Sequence, residues 1–113
     1  MRGVDHYLHD WEYFVAELAR GYGFCVYDYL NDLDSRVVLR RALRQSITGQ
    51  SKATEARLKE IDARFVEVTD PVKPLIAAGN AELIAMHFDP EDQWLARVPK
   101  ELVGELREDM LEG

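Results

Sequence analysis

His6, His9 and Asp10 stand in the pattern H-x-x-H-D near the start of the chain. On a helix, His6 and Asp10 fall one turn apart on one side, with His9 at the edge of their reach. Imidazole and carboxylate are ordinary metal donors, but such a site needs a third or fourth ligand. His87 and Asp89 are the other histidine–acid neighbours, and nothing in the spacing draws them towards His6. A small metal- or ligand-binding protein using His6, His9 and Asp10 is the alternative functional reading. Exposed histidines near a helix start are the plainer one.

The remaining reactive residue types carry less. Cys25 is the single cysteine, which excludes an internal disulfide and any multi-cysteine metal site and fits a reducing compartment. It lies among Phe24, Val26 and Tyr27 with no histidine or base within a turn, so a buried structural thiol is expected. Gly21-Tyr22-Gly23 lacks the further glycine, the preceding strand and the lysine of a phosphate loop. Asp28, Asp32 and Asp34 are close in sequence but do not share a helix face, so spacing alone builds no cage. No nucleophile elbow, diiron-type carboxylate motif or zinc-protease helix occurs. The pattern points away from catalysis, and no cofactor is expected.

Charge is more informative. The net charge of −7 argues against general binding to nucleic acid or anionic membrane, because phosphate is repelled at long range. That charge is unevenly laid out. Residues 1–34 hold two bases and seven acids, residues 35–64 eight bases and three acids, and residues 65–113 four bases and eleven acids. Arg36, Arg40 and Arg44 recur every fourth residue, with Arg41 beside them, and Glu101, Glu105, Glu108 and Glu112 form a comparable acidic stripe. Like charges at this spacing destabilise a helix slightly, so each stripe gains from a neighbour of opposite sign. The two could pair within the chain or between copies, face water, or receive an outside partner. Asp32 and Arg36 are correctly oriented for a local (i, i+4) pair. Contact through the four arginines is the one route by which nucleic acid would bind.

Eight of the eleven aromatic residues fall within the first 29 positions, most of them where core packing explains them. Tyr13 is the exception. It lies on the polar side of its helix between His6, Asp10 and Glu17, a setting suited to an interface.

These residues need elements to hold them. Tyr7, Trp11, Phe14, Val15, Leu18 and Tyr22 recur at three and four, predicting a helix over 5–22 closed by Gly21 and Gly23. A second helix is expected over 25–47. Its apolar face shifts from Val26, Leu30, Leu33 and Val37 to Leu39, Leu43 and Ile47, so it either touches neighbours on two sides or breaks at Asp34-Ser35; one long helix is preferred. Thr48–Ser51 form a polar turn, with Ser51 as N-cap of a third helix over 52–69 that carries Leu58, Ile61, Phe65 and Val68. The short connection makes helices two and three antiparallel neighbours. Beyond Pro71 short helices are expected at 81–88, from Asp89-Pro90 to Val98, and from Pro99 with Leu102, Val103, Leu106 and Met110 inward. No stretch alternates as a strand does, so no sheet is expected.

The fold expected is therefore all-α, a single domain over 1–113: a small antiparallel bundle of three longer helices plus short C-terminal helices. Its core should contain Trp11, Phe14, Leu18, Leu30, Leu33, Leu58, Ile61 and Phe65. The two-faced second helix suggests a homodimer. No apolar run approaches the ~20 residues of a membrane span, and the first residues lack a signal-peptide pattern, so a cytoplasmic protein is expected. The leading functional expectation is a non-catalytic binding or regulatory module that meets a basic partner, such as a nuclease-type toxin, through its charged helix faces.

Overall fold

The computed structural model describes residues 3–45, 52–72 and 80–112. Three long helices, α1 (Val4–Arg20), α2 (Val26–Gln45) and α3 (Lys52–Glu67), are followed by strand β1 (Thr69–Pro71) and helix α4 (Asn80–Met86). A 3-10 helix, η1 (Pro90–Leu95), then leads into strand β2 (Arg97–Pro99) and the last helix, α5 (Gly104–Glu112). The architecture is all-α with one small β-ribbon. Among the described residues no helix is long and apolar enough to cross a membrane.

The wide apolar stripe of α1 makes it the central helix. Leu8, Trp11, Phe14, Val15 and Leu18 are all buried, and α1 packs along both α2 and α3. On α3 only Ile61 and Phe65 are buried, with Leu58 and Val68 packed at the edge, and Phe65 meets α1 through Trp11, the two rings lying 5.0 Å apart. The narrow face of α3 explains why it pairs with α1 rather than forming a simple hairpin with α2. The expected core residues belong to the hydrophobic cluster except Leu58, which is half-buried and packs against it; Leu8, Tyr29, Leu39, Ile84, Leu95 and Leu106 enlarge the cluster.

Helix α2 runs unbroken through Asp34-Ser35. The Ser35 hydroxyl donates to the Asp32 carbonyl at 2.6 Å, a bond within the helix that needs no cap. The described residues of both apolar stripes are used within the chain, because Leu39 is fully buried while Val37 and Leu43 pack against the core; Ile47 lies outside the described residues. The Thr48–Ser51 turn and the Ser51 cap lie outside the described residues.

Four sequence expectations are corrected. The first helix stops at Arg20, where Gly21 takes φ +113° and its N–H bonds back to Glu17, which turns Tyr22 into the core. Second, there is a sheet: β1 and β2 pair antiparallel in the register Thr69↔Pro99, Asp70↔Val98 and Pro71↔Arg97. The ribbon is too short to alternate visibly and has proline at two ends. Side chains hold it as much as backbone does. The Arg97 guanidinium donates to Thr69 Oγ1 at 2.7 Å and to the Thr69 carbonyl at 2.8 Å, and Tyr29 Oη donates to the Arg97 carbonyl at 2.6 Å. Third, the helix opened by Asp89-Pro90 ends at Leu95, because β2 takes up the chain from Arg97. Fourth, the last helix begins at Gly104 and not at Pro99, and Val103 faces outward with 37 % exposure.

The start of α5 is fixed by backbone contact. The Glu105 N–H donates to the Gly23 carbonyl at 2.9 Å, and Asp109 Oδ2 accepts from the Val26 N–H at 2.9 Å, capping α2 from another helix. Gly104 has φ +59°, and a Cβ there would stand 2.7 Å from the Gly23 carbonyl oxygen. Gly104→Ala should therefore destabilise the fold by about 2 kcal/mol, combining a left-handed backbone with a backbone clash. Gly3→Ala, with nothing within 4 Å of the added atom, serves as the control in urea denaturation.

Candidate partner-binding surface

In the arginine stripe of α2, Arg36 and Arg40 turn inward and the exposed Arg44 lies along the surface, all three reaching carboxylates from distant parts of the chain. Arg36 donates through Nε and Nη2 to the two oxygens of Asp62 on α3, at 3.0 and 3.1 Å. Arg40 makes the same fork to Asp92 on η1, at 2.9 and 2.7 Å, and also meets Glu91 at 3.1 Å. Arg44 reaches the other oxygen of Glu91 at 2.9 Å. Planar guanidinium matches carboxylate in this two-bond geometry, and a buried carboxylate such as Asp92 (3 % exposed) requires such a partner.

Aromatic groups enclose the first of these pairs. Trp11 Nε1 donates to the same Asp62 oxygen at 2.9 Å, and the Arg36 guanidinium lies over the Trp94 ring at 5.5 Å. Trp94 meets Phe65 edge-on, and Phe65 packs against Trp11. The circuit closes through α1, α2, α3 and η1. Among the described residues no buried side-chain nitrogen or oxygen is left without a hydrogen-bond partner.

Two sequence expectations change as a result. The local Asp32–Arg36 pair is replaced, because Arg36 turns to Asp62 while Asp32 accepts the Tyr22 hydroxyl at 2.6 Å. The acidic stripe is also broken, because Glu101 lies before α5 and, among the described residues, only Glu105 and Glu108 of the stripe are exposed on it; these three face solvent and do not answer the arginines, whose partners are Asp62, Glu91 and Asp92.

Acidic side chains dominate an open cleft of about 280 Å³ between α1 and α2. Asp10, Tyr13 and Glu17 come from α1, and Asn31, Asp32 and Ser35 from α2. Tyr13 is 57 % exposed at its edge, as its place on the polar side of α1 predicts. Burial raises the Asp32 carboxyl above its usual range, with Asp28 and Asp10 adding like-charge repulsion, while the Tyr22 hydroxyl opposes the shift. The same burial, together with the Asp32 charge, pushes the Tyr22 phenol well up.

His6 and Asp10 meet at 3.2 Å, the one-turn pairing read from the sequence, and His9 is exposed. His87 pairs with Asp34 of α2 at 2.8 Å instead of with Asp89. Among the described residues no group of three or more histidine, cysteine or acidic side chains is gathered as a metal cage. Cys25 is half-buried, not fully buried, and its thiol donates to Asp28 Oδ2 at 3.3 Å.

Sequence reasoning placed most early aromatics inside, and two of them are outside. Phe24 is 58 % and Tyr27 70 % exposed. Phe24 leaves the apolar interior because Tyr22 and Val26, two residues to either side, take the buried positions at the entry to α2. The signal available was the bracketing of Tyr22 by two glycines, which makes the direction of Phe24 a property of the loop and not of a helical stripe.

Comparison with known proteins yields no matching family model, no matching curated protein and no matching solved structure.

The raised Asp32 carboxyl has a pH consequence with a definite sign. A group whose folded-state pKa is raised favours folding when protonated, and that contribution is lost as the pH rises through its folded value. Asp32→Asn keeps an oxygen acceptor for Tyr22 and removes the buried charge. It should be more stable than the parent at neutral pH, with the difference vanishing as the solution is acidified through the carboxylate range. Urea midpoints measured across that pH range check this.

Proposed function

We propose that this protein is a non-catalytic recognition module that binds a basic protein partner through its acidic surface. The observation that supports this reading most directly is the disposition of charge. The α2 arginines are engaged by Asp62, Glu91 and Asp92, whereas Glu101, just before α5, and Glu105 and Glu108 on it stand exposed. Asp28 is exposed as well, and Glu17 and Asp32 line the acidic cleft. An excess of negative charge on the outside speeds encounter with a positive partner and discourages polyanions.

The engagement of the arginines also counts against nucleic acid as the partner, since only Arg41 and Arg44 of that group remain exposed, and Arg44 already meets Glu91. A homodimer, suggested by the two-faced α2, is the less favoured assembly, since the described residues of both stripes pack inside one chain. A reducing, cytoplasmic setting goes with the single free thiol.

The test is parallel affinity purification from the native host of the wild type and a Glu101→Lys/Glu105→Lys/Glu108→Lys variant, with mass spectrometry of what co-purifies. A basic protein should be retained by the wild type at low salt, be released as salt rises, and be lost from the variant. Equal recovery on both forms, or no basic protein on either, would count against the proposal.

A further inference from the structure

The place where the α1–α2 connection crosses the start of α5 combines three properties found together at protein interfaces. It is apolar and exposed, with Phe24 at 58 %, Tyr27 at 70 % and Val103 at 37 % exposure. The three are neighbours along the backbone: Val103 Cγ2 lies within 4 Å of where a Cβ on Gly21 or Gly23 would stand, Phe24 follows Gly23 directly, and Tyr27 lies in the first turn of α2. Single exposed apolar side chains are common, but three exposed so near one another along the backbone, two of them aromatic, have the composition of a contact surface.

The base beneath these side chains is rigid. Tyr22 is buried, meets Phe24 edge-on at 5.5 Å and is tied through its hydroxyl to Asp32. The Glu105 N–H bond to Gly23 and the Asp109 cap on Val26 lock α5 to the entry of α2. A surface held this way loses little conformational freedom on binding, which is where affinity is usually lost.

Charge selects the occupant. Asp28 adjoins Tyr27, Glu105 is bonded through its own backbone to Gly23, and Glu101 and Glu108 stand on the exposed side of the same segment. These four acids outnumber the neighbouring Arg20, Lys100 and Arg107. A second copy docking face to face would set this acidic rim against itself, because a two-fold contact uses the same patch on both subunits. A positively charged segment meets attraction instead. We propose that Phe24, Tyr27 and Val103 form the seat for an apolar anchor carried on a basic polypeptide segment, with the surrounding acids receiving its lysines or arginines. This rests on the basic-partner reading above and adds its place and its apolar component.

The experiment titrates isotope-labelled full-length protein with a synthetic amphipathic lysine/leucine peptide and, separately, with oligolysine of equal charge. The expected result is that the mixed peptide shifts the amides of Phe24, Tyr27 and Val103 and binds about tenfold more tightly than oligolysine. That advantage should disappear in Phe24→Ser/Tyr27→Ser, with Tyr27→Ser alone as a second variant that touches less of the interior and circular dichroism as the check on folding. Equal binding of the two peptides, or shifts confined to other surfaces, would overturn the seat while leaving a basic partner standing. No binding of either peptide would overturn both. Shifts at Phe24 and Tyr27 that follow protein concentration without peptide would assign the patch to a second copy and overturn the proposal.

Discussion

Helix α2 carries three arginines on one face, and the described fold is arranged so that each meets a carboxylate. Asp62 is supplied by α3, and Asp92 and Glu91 by η1, far along the chain. An isolated helix with that stripe repels itself, and a buried Asp92 without a cation is strongly disfavoured. The two liabilities cancel only when η1 docks on α2. Docking in turn places Trp94 under Arg36 and against Phe65, and brings the chain to the start of β2, where the Tyr29 hydroxyl and the Arg97 guanidinium fix the ribbon. The docking of η1, and the ribbon that follows it, thus depends on the charge of α2. The net stabilisation from such a pair is small, since its attraction is offset by the loss of water around both ions, whereas removing one partner alone is costly.

The same arrangement decides what is left for the surface. A stripe of arginines open to solvent would have suggested contact with nucleic acid or with an acidic protein. Once Arg36 and Arg40 are enclosed, the acids of the α1–α2 cleft and of α5 dominate the remaining exterior. Burial makes the Asp32 carboxyl harder to ionise, and the Tyr22 hydroxyl only partly offsets this. Recognition by charge, with aromatic side chains at the α1–α2 connection giving it contact area, is the chemistry such an exterior supports.

Much of the fold was legible because it is periodic. The stripe of α1, the continuity of α2 and the seam of α3 follow from side-chain spacing, and so does most of the core. What spacing does not encode is the partner of a residue across the chain. Arg36 is 26 positions from Asp62 and Arg40 is 52 from Asp92, so the sequence announces that the arginines need acids but not which ones. The short local Asp32–Arg36 pair was the nearest solution on a helix, and tertiary packing replaced it with the forked pair to Asp62. The β-ribbon escaped for another reason. Three residues per strand, ending in Pro71 and Pro99, hold no alternation to detect, and the pairing is imposed by Arg97 and Thr69. Of the candidate surface, Tyr13 and the α5 glutamates were visible as polar-face residues. Phe24 and Tyr27 were not, because their outward direction is set by Gly21 and by the packing of α5 on the connection.

The central claim is that the arginine face of α2 is an internal scaffold and not a binding surface. A double-mutant cycle on Arg40 and Asp92, read as urea unfolding midpoints, tests it most directly. If the pair is internal and mutually required, Arg40→Met strands a buried carboxylate and destabilises the protein severely, and adding Asp92→Leu recovers most of the loss. If Arg40→Met costs little alone, or if the two substitutions simply add, the arginine face is a free surface and the account is contradicted.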